Sequence, residues 1–467
     1  MVPFLRRCGQ LIPSVGRLMA ILSVLGLAVC CFILGAACMH FEIPPAHSLR
    51  NAFLGGAAWY ERFWNQQEGD EKDGAFGFIP PTIKLDRADK TWDGFTLYTT
   101  HRATRATLID MRGQVVHRWD LPFSRAWPRA PHVQDPFPDD KIFWAGFHLY
   151  PNGDLLAVYH VDGDTPYGYG LAKMDKDSKL LWTYDERVHH CVTVGEDGKI
   201  YTLVHHNAMK PPDRMAYLPS PYIADFLAIL SPEGRELEKI PILEALRDSS
   251  YAALIGRSAG FAPAEPDKAS QSDQAKGDLL HANSVKVLSR SLASKFPQFK
   301  PGQVLISVRN LDALMVVDPE TRRVVWAAVG SWRAQHDARF LENGHLLVFD
   351  NHGFAGTGHV LEYDPQTQAV PWMYPDPNDP PLVATVGGAS QRLPNGNTLI
   401  LDSFRYRLLE ITPKHETVWI ASYPRPPLDP TGTAFLQSPI CIVWSWRYAP
   451  DELPFLKGSL QSPRPKP

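Results

Sequence analysis

Cysteine is scarce in this chain. Four of its six cysteines, Cys8, Cys30, Cys31 and Cys38, fall in or beside one apolar run near the N-terminus, which leaves Cys191 and Cys441 for everything else. A disulfide-rich scaffold is therefore excluded, and a single Cys191–Cys441 bridge is the most an oxidising compartment would allow. A surplus of one charge is also lacking. The formal net charge is −3 and no long basic run appears, which argues against a nucleic-acid partner. No Gly-rich phosphate loop, close CxxC pair or Ser-His-Asp arrangement can be recognised. Long apolar runs are absent but for one. Leu18 to Met39 carries no charge and is long enough to cross a bilayer, which takes about 20 residues.

Arg6, Arg7 and Arg17 precede that run, so everything after Met39 is expected outside the cytoplasm, on the periplasmic or extracellular side. A cleaved signal peptide would have an apolar stretch of only ~7–15 residues, so a retained single-pass anchor over 18–39 is expected, with a cytoplasmic N-terminus at 1–17. Gly35-Ala36-Ala37-Cys38 resembles a lipoprotein cleavage box but lacks the large residue three places before the cysteine. Residues 40–92 read as a juxtamembrane linker. It holds an aromatic stretch, Phe53 to Trp64, suited to a membrane interface or a short helix, and an Ile79-Pro80-Pro81-Thr82 spacer.

What the chain has instead is turn formers and large aromatics: 33 Gly, 42 Pro and 13 Trp in 467 residues. These serve a repeat. One half is a strand, a turn and a Val- and Trp-rich strand, as in ATLIDMRGQVVHRWD (106–120), LAKMDKDSKLLWTYD (171–185) and RLLEITPKHETVWIA (407–421); six copies are present. The other half precedes it and carries an Asn-Gly type turn, as in FHLYPNGDLLAVYH (147–160), HCVTVGEDGKIYTLVH (190–205), HDARFLENGHLLVFD (336–350) and ASQRLPNGNTLILD (389–402). A stretched copy runs from HANSVKVL (281–288) to GQVLISVR (302–309). Four strands per unit of about 40–50 residues, six times over, predict an all-β, six-bladed β-propeller over 93–450, preceded by one N-terminal transmembrane helix. A right-handed solenoid is the alternative, disfavoured by the even four-strand phrasing. The strand-like SPICIVWSWRY (438–448) is expected to return and complete the first blade. Residues 241–280 insert between blades three and four, with a helical turn at Ile242 to Arg247 and a polar stretch from Glu265 to Gly277. The tail 451–467 reads as disordered.

The innermost strand of each blade lines the propeller axis. His190 lies seven places before Asp197, and His336 seven before Asn343, so they are expected at matching heights in different blades. His281 opens the corresponding strand of blade four. His148, only four places before Asn152, should differ in depth. Arg309 ends a neighbouring strand and supplies a cation whose fork suits a tetrahedral oxyanion. Asn283, two residues after His281, is expected on the same face, able to donate to that anion. In the pairs His189-His190 and His205-His206, alternation along a strand would turn one ring inward and one outward. Neutral imidazole is a nucleophile and an acid–base group at pH 7. Three histidines also suit zinc, but the arginine favours an anion over a divalent cation.

HHCVTVGEDGKIYTL (189–203), HANSVKVL with LISVRN (281–288, 305–310) and QHDARFLENGHLLVFDNHG (335–353) resemble the PAPS-independent arylsulfotransferase family. The resemblance spans roughly residues 95 to 450. It implies an exported six-bladed propeller that moves a sulfuryl group from an aryl sulfate to a phenol. It also implies His336 as the transiently sulfated nucleophile, His190, His281, Asn283 and Arg309 as supporting residues, and no cofactor. The chain departs from the best-known bacterial members in leaving no room for their N-terminal β-sandwich and in its expected anchor. Two other classes stay open at this point. One is a non-catalytic platform for a protein or ligand, for which aromatics such as Phe147 would plug the axis. The other is a metal-dependent hydrolase or lyase.

Overall fold

The computed structural model describes residues 81–457, apart from 163, 165, 219, 259–276, 354–356, 377–381, 383–386 and 424–440, together with the helical Gly26. The chain divides into Met1–Gly77 and Phe78–Pro467. The anchor expected over 18–39, its flanking arginines and cysteines, and the aromatic stretch 53–64 lie outside the described residues, Gly26 excepted. Among the described residues no helix is long and apolar enough to cross a membrane.

The second unit is a six-bladed β-propeller. Four blades run inner to outer in chain order: Ile142 to Tyr184 for blade 2, Val188 to Pro241 for blade 3, Ala282 to Val329 for blade 4 and His336 to Tyr374 for blade 5. Blade 6 begins at Ser390–Arg392 and carries a fifth, outer strand, Thr82–Asp86, antiparallel to Thr417–Ser422. The propeller therefore reaches eleven residues nearer the N-terminus than the 93 read from sequence. The two prolines that look like a spacer end where this strand begins, and its alternating exposure marks an edge strand.

Ring closure is as expected: Ile442–Tyr448 forms the innermost strand of blade 1, paired with Phe95–Thr100. Arg447 on that strand is fully buried. It ion-pairs with Glu410 of blade 6, and its backbone exchanges hydrogen bonds with the Gln391 side chain, both 2.8 Å. Glu410 also accepts from Trp92 N (2.8 Å) and Asn397 Nδ2 (2.7 Å). One carboxylate thus ties three stretches of chain at the seam.

The repeated hairpin is not a two-residue turn. Leu341 N donates to His345 O and Gly344 N to Leu341 O, with only Gly344 at positive φ (+86°). This is a type I turn closed by a left-handed glycine, where glycine alone carries no Cβ penalty. Between blades, apolar faces pack into continuous clusters, such as Leu227, Ile240, Val285, Ile306 and Met315 between blades 3 and 4.

Two further expectations change. Cys191 and Cys441 are both buried free thiols, not a bridge. The tail from Asp451 folds through residue 457 into two short 3-10 turns, because Leu453 and Leu456 bury themselves beside blades 1 and 2. The helical turn expected at the start of the insertion is present at Ile242–Arg247, where Ile242, Leu243, Ala245 and Leu246 are core residues.

Candidate active site

The innermost strands all start at the same end of the axis, and there the histidines converge. Ring centroids of His190 and His281 are 5.2 Å apart, and those of His190 and His336 are 6.3 Å apart. The three rings come from blades 3, 4 and 5. Each innermost strand is broken near its start by a bulge: at His190-Cys191 in blade 3, at Asn283 in blade 4 and at Asp337-Ala338 in blade 5. A residue beside or within the break takes a left-handed conformation, His190 (φ 58°), His281 (49°) or Asp337 (49°). Bulges re-aim side chains. The left-handed position is the histidine in blades 3 and 4 but the residue after it in blade 5. The match read from the turns is therefore offset by one residue at the backbone.

The bulge also overturns the alternation argument for His189-His190. Both rings turn to the hub, with Nδ1 of one 2.8 Å from Nδ1 of the other. In the unbulged pair His205-His206 alternation holds: His205 is fully buried, and His206 points outward to Glu186 at 2.6 Å. His148 sits at the far end of its strand against Tyr150, with burial lowering its pKa to about 4. Phe147 is core between blades 1 and 2 and does not plug the histidine end.

His336 is held in one tautomer. Its Nδ1 faces two oxygens, Asn351 Oδ1 at 2.7 Å and Ala334 O at 3.0 Å. Neither oxygen donates, so Nδ1 carries the proton and Nε2 keeps its lone pair. Burial, and then the Arg309 charge, push its pKa down to about 3. The ring stays neutral and nucleophilic across the physiological range. Gln335, just before it, pins the strand by donating to Ser307 Oγ, Val308 O and Ala313 O.

His281 stands differently. Its Nδ1 is 2.5 Å from Asp278 Oδ2, and its backbone N donates to Asp278 Oδ1 at 3.1 Å. Asp278 is the last acidic residue of the insertion; burial raises its pKa but the His281 charge and hydrogen bond outweigh that, leaving it below the ordinary carboxylate value. This is a carboxylate–imidazole dyad that orients a proton-transfer group. Arg309 N donates to His281 O at 3.2 Å, and its Nη1 donates to Asn310 Oδ1 at 3.0 Å. Among the described residues no carboxylate ion-pairs with the Arg309 guanidinium, so its charge is available to an anion.

Asn283 is 2% exposed, and its Nδ2 donates to Gln335 O at 2.8 Å. Its amide braces the strand of His336, where the sequence suggested a donor aimed at the axis.

Sequence reasoning missed several hub residues. Asp278 hides at the end of a polar insertion. His160 (5.6 Å from His190 by ring centroids) and Tyr167 come from the second strand of blade 2 and the loop after it. Tyr167 packs among His189, His190, His205 and His281, with its hydroxyl 3.4 Å from His281 Nδ1. Only the repeat register pointed there: strand-two ends reach the same face as strand-one starts. Burial pushes the pKa values of His160 and His189 to about 3 and those of His190 and His205 well below 6.5.

His189, His205 and Asp225 bring three ligand-type atoms within 4.8 Å of one another. The set does not suit a metal. Gly168 N donates to His205 Nε2 at 2.9 Å, which forces the proton onto Nδ1, the atom a metal would need. Burial, and then Asp278, raise the Asp225 pKa above the ordinary carboxylate range.

The chain is a closed six-bladed propeller whose axis gathers a neutral, tautomer-fixed histidine and, beside it, an arginine that no carboxylate among the described residues ion-pairs. The arylsulfotransferase (ASST) family model matches residues 147–423, well over half of the chain and all the hub residues just described. The chain belongs to that family. No curated protein matches it. Among solved structures it is similar to a protein of unknown function from Bacteroides caccae, at 11% identity and TM-score 0.44, covering 70% of this chain and 93% of that one. It is also similar to selenomethionine-substituted virginiamycin B lyase from Staphylococcus aureus (11%, TM-score 0.33, 60% and 70%) and to Kuenenia stuttgartiensis hydrazine synthase (11%, TM-score 0.40, 74% and 80%).

Proposed function

We propose that this protein transfers a sulfuryl group from an aryl sulfate to a phenol through a sulfohistidine at His336. The observation that carries the reading is the fixed tautomer of His336, Nδ1–H to Asn351 and Ala334 with Nε2 unprotonated, next to Arg309. Nε2 attacks sulfur, the N–S bond forms and the S–O(aryl) bond breaks. His281, oriented by Asp278, delivers a proton to the departing phenolate oxygen, with His190 on the other side of the same ring cluster. Arg309 balances the charge of the sulfuryl oxygens in transit. The N-sulfonated ring becomes an imidazolium, and the two oxygens on Nδ1–H stabilise that cation. An acceptor phenol then loses its proton to His281, its oxygen attacks sulfur and the N–S bond breaks. Two half-reactions through one intermediate give ping-pong kinetics. Asn283 serves by bracing Gln335, and through it the strand of His336. The reading needs no cofactor. It sets the propeller outside the cytoplasm behind the 18–39 anchor.

The test is incubation of the full-length protein with 4-nitrophenyl sulfate, with and without phenol. The expected result is phenol-dependent release of nitrophenol and an increment of about 80 Da, one sulfuryl group, on the His336 peptide. His336→Asn should abolish both. Full transfer by His336→Asn would sink the assignment.

A further inference from the structure

At the opposite end of the axis the innermost strands line an open cavity of about 390 Å³, whose walls include Phe147, Trp444, Trp446, Tyr448, Lys286 and Arg339. It is separate from the histidine hub. His281 and Lys286 lie five residues apart on one strand, and His336 and Arg339 three apart on another. Each span contains a bulge that takes one residue out of the ladder, leaving four and two steps, so at about 3.3 Å per step the separation is roughly 7–13 Å along the strands.

Two cations meet here with one carboxylate between them. Arg339 is paired with Asp337 at 2.8 Å and lies over the Trp446 ring at 4.3 Å. Lys286 Nζ donates only to neutral oxygens, Thr193 Oγ1 at 3.3 Å and Val285 O at 3.2 Å. Among the described residues no carboxylate ion-pairs with it. Glu452, the acidic residue in the lining, accepts from Ala449 N at 2.6 Å and is solvent-exposed. Burial, and then repulsion from Arg339, lower the Lys286 amine to about 8. A half-buried ammonium with no carboxylate paired to it among the described residues is costly, and an anion in the cavity lowers that cost. The walls around it include the aromatic side chains of Trp444, Trp446 and Tyr448, residues able to pack against a ring. The volume falls within the range of small-ligand pockets.

We infer that this cavity is a binding site for a small aromatic anion, held by Lys286 and Arg339 at its charged end and by Trp444, Trp446 and Tyr448 around its ring. The site is independent of the sulfuryl-transfer reading, because it touches none of the hub residues.

The probe is 1-naphthalenesulfonate, titrated calorimetrically into the full-length protein. The Arg309→Met variant removes the hub's anion-binding cation and so isolates the lower site. In that background saturable binding is expected to persist, and adding Lys286→Met should weaken it about ten- to a hundredfold, the loss typical of one hydrogen bond to a charged group. Adding Lys286→Arg instead, which keeps the charge, should retain binding. Trp446→Leu should weaken the naphthyl probe while leaving the weak binding of inorganic sulfate unchanged. Thermal melts confirm that each variant is folded. Abolition of all binding by Arg309→Met alone would overturn the site. So would equal affinity with and without Lys286, or sulfate binding as tightly as the aromatic probe.

Discussion

His336 donates its Nδ1 proton to Asn351 Oδ1 across 2.7 Å, and that bond decides which nitrogen of the ring can react. Asn351 lies just beyond the second strand of blade 5, and its own amide nitrogen is anchored on Gly387 O. The tautomer is therefore set by the blade. Asn351→Leu keeps the volume and removes the acceptor. Ala334 O alone then orients the ring, and transfer from 4-nitrophenyl sulfate should fall about 10²-fold or more, within the range seen when a positioned proton-transfer or orienting group is lost. The loss should appear in kcat, with little change in KM, because Asn351 supports the sulfated ring rather than the bound donor. A rise in KM at constant kcat would mean that Asn351 binds substrate instead.

The pH dependence of the nucleophile follows from its burial. The His336 pKa is lowered to about 3, first by desolvation and then by Arg309, while the bond to Asn351 opposes the shift. His190 and His281 are the other titratable rings near it. In the free enzyme the lone pair on Nε2 is thus available down to about pH 4. With 4-nitrophenyl sulfate, whose phenolate leaves without help from an acid, the acid limb of kcat/KM should fall below pH 5. A midpoint near 6.5 would show that His336 ionises like an imidazole in water.

Arg309 carries the anion side of the site, and its shape matters as well as its charge. A planar fork makes two parallel bonds to a sulfuryl group, where lysine offers a point charge. Arg309→Lys should therefore lose about 10-fold or more in kcat/KM for aryl sulfates, and Arg309→Met at least 100-fold, with the largest share in the sulfation half-reaction. Stopped-flow release of nitrophenol separates that half-reaction from the second. Equal rates for the arginine and methionine forms would remove Arg309 from the mechanism.

Much of this arrangement was legible in the residues, and the parts that were not share a cause. Strand alternation repeats six times and the glycine turn in four of the units, so the propeller and the return of Ile442–Tyr448 into blade 1 follow from pattern. Register along the turns placed His190 and His336 at one end of the axis, and the strand that His281 opens placed it with them. Pattern fails where the backbone leaves the regular strand. A left-handed His190 breaks the period of two, so His189 joins the hub beside it when alternation would have sent it away. Thr82–Asp86 follows two prolines and pairs only across the seam with Thr417–Ser422, a partner more than 300 residues away. Asp278 closes an insertion whose composition reads as solvated, yet it faces His281 at 2.5 Å, because the insertion ends where blade 4 begins. Local periodicity carries no sign of such long-range or irregular contacts.

The seam offers a stability prediction. Arg447 and Glu410 are both fully buried and joined, and Glu410 collects further donors from Trp92 and Asn397. Arg447→Met leaves the Glu410 carboxylate without its counter-ion in a dry site, at a cost of about 3–5 kcal/mol. Arg447→Met with Glu410→Leu removes both charges together and should be less damaging than Arg447→Met alone, read as urea midpoints. A double variant worse than the single would mean that the carboxylate's bonds to Trp92 and Asn397 hold the ring closed, rather than the ion pair.

The hub that makes the site also makes the fold acid-sensitive. His160, His189 and His336 have folded pKa values near 3, and those of His190 and His205 are well below 6.5, in each case first through burial. In the unfolded chain each returns to about 6.5. Unfolding therefore takes up protons below pH 6.5. The stability these neutral rings permit is complete above 6.5 and falls as pH drops toward the folded values. Each ring contributes up to about 1.4 kcal/mol per pH unit in that window. Five acting together lose several kcal/mol per unit, against a total stability of about 5–15 kcal/mol. Urea unfolding at pH 7, 6 and 5 should show stability falling with this sign. His160→Leu removes one ring whose neighbours are Phe143, Tyr167, His190, His101 and Asp162. It should flatten the slope by about one proton's worth. Stability unchanged between pH 7 and 5 would mean that the hub rings are hydrated and titrate as free imidazoles, and the neutral Nε2 of His336 would lose its physical basis with them.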